Sequence, residues 1–339
     1  MLKKLILGIF ISSLFIYLSF KGIDFRGVIG GIKAANPIYL FYTVGLLILM
    51  QVLRSYRWGI ILNPVKKVDQ FSLFSVTSVG FLAVIAIPAR IGELARPYLI
   101  SNQKDIKMTS AVGTILVERV FDSLTVLLTF FIVVSYTSLP PWLIKTSIIF
   151  LFISLAFLGF IILCIYKRDS SLRILTPLLK KLPGKSYLKL VELVNHLIDG
   201  FEIISNGKLI LFLAFLSILI WGIDASAIYM LFFAFDINLP LSAAFVLMVI
   251  IILGITIPTA PGFVGNWHFF CILGLSLFGI SKTDALTYAI VLHFLSIGII
   301  VVLGLIFLPF NKFSFSDIRK KLDFKNSRPE NPDGQGIKR

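Results

Sequence analysis

The feature that most constrains this chain is a series of nine apolar runs separated by short polar gaps. The runs lie at about 5–21, 38–62, 71–88, 108–138, 144–166, 209–235, 241–257, 268–280 and 285–308. About 20 apolar residues in a helix span the hydrocarbon core of a bilayer. The chain is also 58% apolar and 14% charged, whereas soluble domains average about 45–50% and about 25%. We therefore predict an all-α polytopic integral membrane protein, which excludes a soluble enzyme and a secreted disulfide scaffold.

The formal charge of +15 is concentrated in the polar gaps between the apolar runs. Lys and Arg cluster at 3–4, 66–67, 104–107, 167–189 and 312–339. Cytoplasmic loops of membrane proteins carry such an excess of positive charge, and the anionic cytoplasmic leaflet attracts it. This placement predicts a multi-pass protein of the cell membrane with both termini in the cytoplasm. It also favours lipid headgroups, and not nucleic acid, as the partners of the basic residues.

Two of the runs end in stretches of Pro and Gly, which break helices. The first is Ile87-Pro-Ala-Arg-Ile-Gly-Glu93 and the second is Ile257-Pro-Thr-Ala-Pro-Gly-Phe-Val-Gly265. Broken backbone at membrane depth is tolerated only inside protein or beside a water-filled cavity. We therefore expect two re-entrant hairpins, at 71–96 and 241–280, among about six to eight transmembrane helices.

The order of spans and hairpins divides residues 1–311 into two similar halves. Each half, 1–140 and 141–311, contains two spans, a hairpin and a further span, with opposite orientation in the membrane. This order raises the possibility of an inverted repeat, as in transporters whose broken helices meet at the midplane. We expect the basic segment 167–208 to be a cytoplasmic loop and 312–339 to be a basic, partly disordered cytoplasmic tail.

Ionisable residues inside apolar runs are costly and mark functional sites. Most of them lie in the first half, and together they carry five positive and three negative charges: Arg54, Arg57, Arg90, Glu93, Arg96, Glu118, Arg119 and Asp122. One interpretation is that they pair only with one another and hold the helices in register. The other is a polar cavity with surplus positive charge that receives an anionic headgroup, because the planar guanidinium binds phosphate bidentately. For the first two arginines, anchoring at the membrane interface is a further alternative.

The second break supplies the remaining candidate residues for substrate binding: Pro258, Pro261, Gly262, Gly265 and His268. Its Pro and Gly residues favour a tight turn that exposes backbone N–H groups to a ligand. His268 and His293 could face each other, but two imidazoles without a nearby carboxylate make a poor metal site. Asp224 is a lone acid in its run and a candidate partner for one of the arginines. We expect neither metal nor cofactor, since the sequence contains no phosphate-binding loop or HExxH motif.

Four of these segments resemble the motifs of the flippase-like family, the family of the lysylphosphatidylglycerol synthase transmembrane region. They are Leu53–Trp58, Ile87–Arg96, Glu118–Asp122 and Pro261–Gly265, and the resemblance covers about 5–308. It implies a cell-membrane domain of bacteria and archaea that is associated with moving phospholipids or lipid-linked sugars between leaflets. It also carries a functional role over to the matching motif positions: Arg90, Gly92, Glu93, Arg96, Glu118, Arg119 and Asp122.

The chain departs from the family pattern in two ways. The second break has Phe263 and His268 where the family often has Gly and Glu, which puts the substrate or the coupling in doubt. The two-domain synthases also carry a soluble aminoacyl-transferase domain, whereas about thirty polar residues follow Asn311 here. We therefore favour binding or translocation of an anionic or lipid-linked headgroup in a charged midplane cavity. The alternatives are a membrane transferase with Glu118 or Glu93 as base, and an accessory subunit of a lipid-modifying glycosyltransferase.

Overall fold

A computed structural model describes residues 2–87, 92–135, 140–166, 195–196, 198–201, 207–257 and 259–311. These residues form eleven α-helices: α1 (Leu2–Phe20), α2 (Phe25–Ala34), α3 (Pro37–Leu62), α4 (Gln70–Ala86), α5 (Ala95–Lys104), α6 (Met108–Val134), α7 (Pro141–Tyr166), α8 (Gly207–Ala234), α9 (Leu241–Ile255), α10 (Asn266–Ser276) and α11 (Lys282–Phe307). Every predicted apolar run forms a helix, so the all-α architecture is confirmed.

Polar residues in the gaps set several of the helix starts. The side chain of Asn36 accepts a hydrogen bond from the Ile38 amide at 3.1 Å, immediately before Pro37 opens α3. The carboxylate of Asp69 caps α4 in the same way, accepting from the Ser72 amide at 2.8 Å. Such caps satisfy amide groups that have no partner within the helix.

Four helical segments are long and apolar enough to cross a membrane: Pro37–Leu62, Pro141–Leu163, Gly207–Ala234 and Lys282–Phe310. A fifth candidate is the pair α1 and α2, which meet at an angle of 84°. Helix α6 has 27 residues and is about 40 Å long at 1.5 Å per residue, but it carries three charged residues. The chain is therefore an integral membrane protein. The number of full crossings and the side of each loop stay predictions.

Each Pro and Gly break separates a helix too short to cross from a second short helix. Helix α4 has 17 residues and α9 has 15, which corresponds to about 25 Å and about 22 Å. They are followed by α5 with 10 residues and α10 with 11. We call α4 with α5 the first broken pair and α9 with α10 the second. The similar lengths agree with the proposed repeat, while the return of each pair to its starting side stays a prediction.

The helices pack in a way that relates the two halves of the chain. Helices α3 and α8, the second span of each half, form the most extensive contact in the bundle. Helix α4 of the first broken pair packs against α11 of the second half, and α9 of the second broken pair packs against α6 of the first half. This reciprocal exchange is what an inverted repeat predicts.

The polar segments between and after the apolar runs are described in part. The polar gap at 22–37, between the first two apolar runs, contains α2, which packs against α11. Most of the expected cytoplasmic loop at 167–208, and the whole tail at 312–339, lie outside the described residues. Within the loop, His196 lies against α6, with its Nε2 2.7 Å from Lys107 Nζ and its Nδ1 3.2 Å from the Asp199 carboxylate.

Candidate functional site

A buried ion pair joins the first broken pair to α6. Arg96 donates two hydrogen bonds to Glu118, with N–O distances of 2.8 and 3.0 Å. The side chains of Arg96 and Glu118 are 3% and 1% exposed. The Arg96 guanidinium also lies over the ring of Trp58, 4.3 Å from its centroid, and the Trp58 indole donates to the Thr114 hydroxyl at 3.1 Å. Planar bidentate pairing of this kind fixes the relative position of the two helices.

A second buried pair joins α3, α6 and α8. Arg57 Nη2 lies 2.8 Å from Asp122 Oδ1, and Arg57 Nη1 donates to the Ser217 hydroxyl at 2.7 Å. The Trp221 indole donates to the same Asp122 oxygen at 3.0 Å. Arg57 is completely buried, so the alternative of an interface anchor does not hold for this residue.

Arg119 contacts the carboxylates of both pairs, but part of its side chain is exposed. It donates to Glu118 Oε1 at 2.8 Å and lies 3.7 Å from Asp122 Oδ2. Its side chain is nevertheless 43% exposed. The two carboxylates of α6, four residues apart and therefore on one face of the helix, thus hold three arginines.

The exposed part of this network opens into a cavity of about 340 Å³ between the helices. Most of the lining is apolar and comes from both halves of the chain, and the charged part of the lining consists of Arg54, Glu93, Arg119, Asp122 and Asp224. Ligand pockets characteristically combine an apolar wall with a few polar groups. Charged residues, most of them from the first half, therefore line part of a ligand-sized space between the helices.

Arg54 and Asp224 differ from the other charges of this wall. Arg54 lies over two aromatic rings, 5.2 Å from the Trp221 centroid and 5.6 Å from the Phe81 centroid. Asp224 and Arg54 attract each other electrostatically. Among the residues that the structure describes, however, neither closes a hydrogen bond or a contact ion pair. Both groups therefore keep hydrogen-bonding capacity that a ligand could use.

The turn of the second broken pair lies next to the C-terminal end of α4, the first helix of the first broken pair. A short 3-10 turn, Pro261–Phe263, packs against α4, and a Cβ atom placed on Gly262 would lie 3.9 Å from Ile85. Phe263 and Trp267 line the cavity. Gly262 has φ 72° and Gly265 has φ 97°, a region that glycine enters without strain. The second break therefore contributes part of the cavity lining.

His268 and His293 face each other. The rings of His268 and His293 are 4.7 Å apart between centroids, and His293 Nε2 donates to the Gly262 carbonyl at 2.8 Å. In the part of the chain that the structure describes, no group of three metal-ligating side chains comes together. The pair therefore supports the turn by packing and hydrogen bonding.

The structure places the candidate residues in three sets. Arg54, Glu93, Arg119 and Asp122 line the cavity, while Arg57, Arg96 and Glu118 form the ion pairs behind it. The remaining described candidates shape the backbone of the two breaks: Gly92, Pro261, Gly262, Gly265 and His268. Arg90 and Pro258 lie outside the described residues.

Sequence reasoning missed two contributions to the site. Trp221 was not singled out, although it contacts both Arg54 and Asp122. Asp224 was noted as a lone acid, but its place on the cavity wall was not predicted. Its signal in the sequence was the cost of a carboxylate ten residues before the end of an apolar span, about 15 Å into the membrane.

The fold and the cavity define a helical membrane protein with a charged cavity between its helices, beside which two helices are broken. The chain belongs to the family described as the lysylphosphatidylglycerol synthase transmembrane region, whose model matches residues 5–322. It is similar to a UPF0104 membrane protein of Methanothermobacter thermautotrophicus, with 23% identity over 301 residues, 84% of this chain and 89% of that protein. A UPF0104 membrane protein of Methanocaldococcus jannaschii is 26% identical over 227 residues, 65% of this chain and 90% of that protein. No solved structure matches the sequence.

Proposed function

We propose that the cavity binds the anionic headgroup of a phospholipid or a lipid-linked sugar and carries it between the two leaflets. The hydrocarbon chains would stay in the bilayer while the headgroup occupies the charged wall. The observation that carries this proposal is that two guanidinium groups, those of Arg54 and Arg119, lie with three carboxylates on the wall of a cavity whose lining is mostly apolar.

Arginine suits this role because its planar fork donates several hydrogen bonds to phosphate oxygens. Arg119 is already held in place by Glu118, and Arg54 is positioned between two aromatic rings. Side chains fixed before a ligand arrives lose little conformational freedom on binding. The carboxylates of α6 would therefore hold Arg119, and the rings of Phe81 and Trp221 would hold Arg54, when no headgroup is bound.

The depth of the charges favours translocation over binding at the surface. A headgroup crossing hydrocarbon without help is desolvated at a high energetic cost. A charged wall deep in the bundle, formed by helices of both halves, replaces part of that lost hydration. Broken helices that meet near the midplane serve the same purpose in known transporter folds.

The experiment is a translocation assay with the purified protein in liposomes. The probe is phosphatidylglycerol with a fluorescent label on its acyl chain, so the headgroup is unmodified. Dithionite bleaches the label in the outer leaflet. The wild-type protein is expected to expose label from the inner leaflet faster than protein-free liposomes do. Arg54→Gln removes a charge-assisted contact worth about 1.5–3 kcal/mol, which corresponds to a rate lower by roughly ten-fold or more.

A matched control is Lys33→Gln, which removes one exposed positive charge of α2, outside the cavity. Both variants must insert and purify like the wild-type protein. Equal rates for the wild type, Lys33→Gln and Arg54→Gln would exclude this cavity as the route. Mass spectrometry of the lipids before and after the assay distinguishes translocation from a transferase, because translocation leaves the lipid chemically unchanged.

A further inference from the structure

The described charges of the cavity and of the network behind it balance. Four arginines stand against four carboxylates: Arg54, Arg57, Arg96, Arg119, Glu93, Glu118, Asp122 and Asp224. An anionic headgroup entering this site adds one negative charge to a largely apolar enclosure. Uncompensated charge at membrane depth is costly, so a carboxylate that loses its counter-ion to the ligand is a favourable place for a proton to bind.

The four carboxylates differ in their capacity to make that change. Glu118 accepts hydrogen bonds from two arginines, and Asp122 is held by Arg57 and the Trp221 indole. Glu93 also has an interaction partner. Asp224 is held by no hydrogen bond or contact ion pair among the described residues, and Arg54 is an opposite charge on the wall of the same cavity, which compensates the carboxylate by attraction. A ligand phosphate that engages Arg54 takes this compensation away from Asp224.

We propose that Asp224 is a proton-binding site coupled to the headgroup site, so that binding of an anionic headgroup to Arg54 is accompanied by uptake of one proton on the Asp224 carboxylate. This inference rests on the proposed function. Before binding, the pair consists of one guanidinium and one carboxylate. After binding, the guanidinium faces the ligand anion, and a proton from water converts the carboxylate to a neutral carboxylic acid. The net charge of the site is the same in both states, and no other reactant is needed.

The surroundings of Asp224 leave this carboxylate as the acceptor of the proton. Helix α3 contributes Arg54 to the cavity, and α6 contributes Arg119 and Asp122. The last two residues already interact with each other. Helix α9 contains no ionisable residue. From α11, Tyr288 is the ionisable neighbour, and its hydroxyl donates to the Ile228 carbonyl at 2.7 Å. On α8 itself, Tyr229 is the nearest ionisable residue in the sequence.

The test is calorimetric titration of the full-length protein, in phosphatidylcholine nanodiscs, with dihexanoyl phosphatidylglycerol. The phosphodiester of this probe keeps a single negative charge at neutral pH, so it does not take up the proton itself. Comparing two buffers with different ionisation enthalpies gives the number of protons taken up on binding. The wild type is expected to take up on the order of one proton, with an affinity that weakens up to about ten-fold per pH unit as pH rises.

Asp224→Asn keeps the size of the side chain and is expected to bind the probe without proton uptake and without the pH dependence. The matched control is Asp236→Asn, which neutralises an exposed acid just after the same helix at φ 53°, a conformation that asparagine tolerates. It should retain the wild-type proton uptake. Wild-type binding without uptake, or uptake that persists in Asp224→Asn, would overturn the proton step and leave the proposed function standing.

Two further results would also decide the matter. If Asp224→Asn selectively lost phosphatidylethanolamine and not phosphatidylglycerol, the carboxylate would be a site for the ligand ammonium group, and the proton step would be wrong. If the wild type bound no phosphatidylglycerol in either buffer, the proposed function would fail and this inference with it. Because the wild-type measurement alone gives the proton number, the test does not depend on correct folding of a variant.

Discussion

Replacing Glu118 by glutamine keeps the size of the side chain but removes the charge that holds the first broken pair to α6. Glu118 accepts two hydrogen bonds from Arg96 and one from Arg119. The amide nitrogen of glutamine is a donor, so at least one N–H group of Arg96 or Arg119 would face another donor. Removing one partner of a buried ion pair costs about 3–5 kcal/mol, because the other charge is left buried and unpaired. We expect Glu118→Gln to lower the stability of the folded protein by an amount in this range.

The measurement is denaturant unfolding of the purified protein in mixed micelles, followed by tryptophan fluorescence. The control is Lys104→Met, which breaks the ion pair of Lys104 with Asp69, whose side chains are 31% and 56% exposed. Exposed pairs contribute about 0–1 kcal/mol, so this variant should remain close to the wild type. If both variants lost the same small amount of stability, the buried pair would not hold the broken pair in place, and the account of the site would be wrong.

Three further predictions concern the break, the start of α4 and the topology. Gly92→Ala brings a Cβ atom against the Ala83 carbonyl oxygen of α4 and should sharply reduce the yield of folded protein, whereas Gly159→Ala meets nothing within 4 Å and should not. Hydrogen bonding to Lys104 holds the pKa of Asp69 well below its usual range, so its contribution to stability should persist above about pH 4 and be lost on further acidification. Asp69→Ala also removes the helix cap and should cost about 1 kcal/mol by denaturant unfolding, more than Asp69→Asn. A cysteine introduced at Lys282 should react with an impermeant thiol reagent on intact cells, and one at Lys104 should not, if the broken pairs enter from opposite sides.

The helices could be predicted from the sequence because a long apolar run is a strong signal for a helix in a membrane. The two breaks were also predictable, because clustered Pro and Gly residues disfavour a continuous helix even within an apolar run. Helix α2 was missed because it contains three glycines, which are poor helix formers. Tertiary packing accounts for two of these glycines: Cβ atoms on Gly27 and Gly31 would lie only 3.2 and 3.0 Å from Thr283 and Thr287 of α11.

The charged site was predictable in its members but not in its arrangement. Arg54 and Arg57 lie three residues apart on one helix, yet one faces the cavity and the other is sealed against Ser217. That difference depends on where α8 packs, which helical periodicity of α3 does not contain. Asp224 approaches Arg54 only through the same contact between α3 and α8. The second half therefore contributes one carboxylate to a site whose charges were expected to come mostly from the first half.

The central claim, that the cavity holds a lipid headgroup, is tested most directly by an electron cryo-microscopy structure of the protein in nanodiscs containing phosphatidylglycerol. The account predicts phosphate density within hydrogen-bonding distance of the Arg54 and Arg119 guanidinium groups, with the acyl chains leading out toward the bilayer. The same density should be absent from Arg54→Gln. Phosphatidylglycerol ordered only on the outer surface of the helices, with a cavity that contains water or acyl chain alone, would contradict the account.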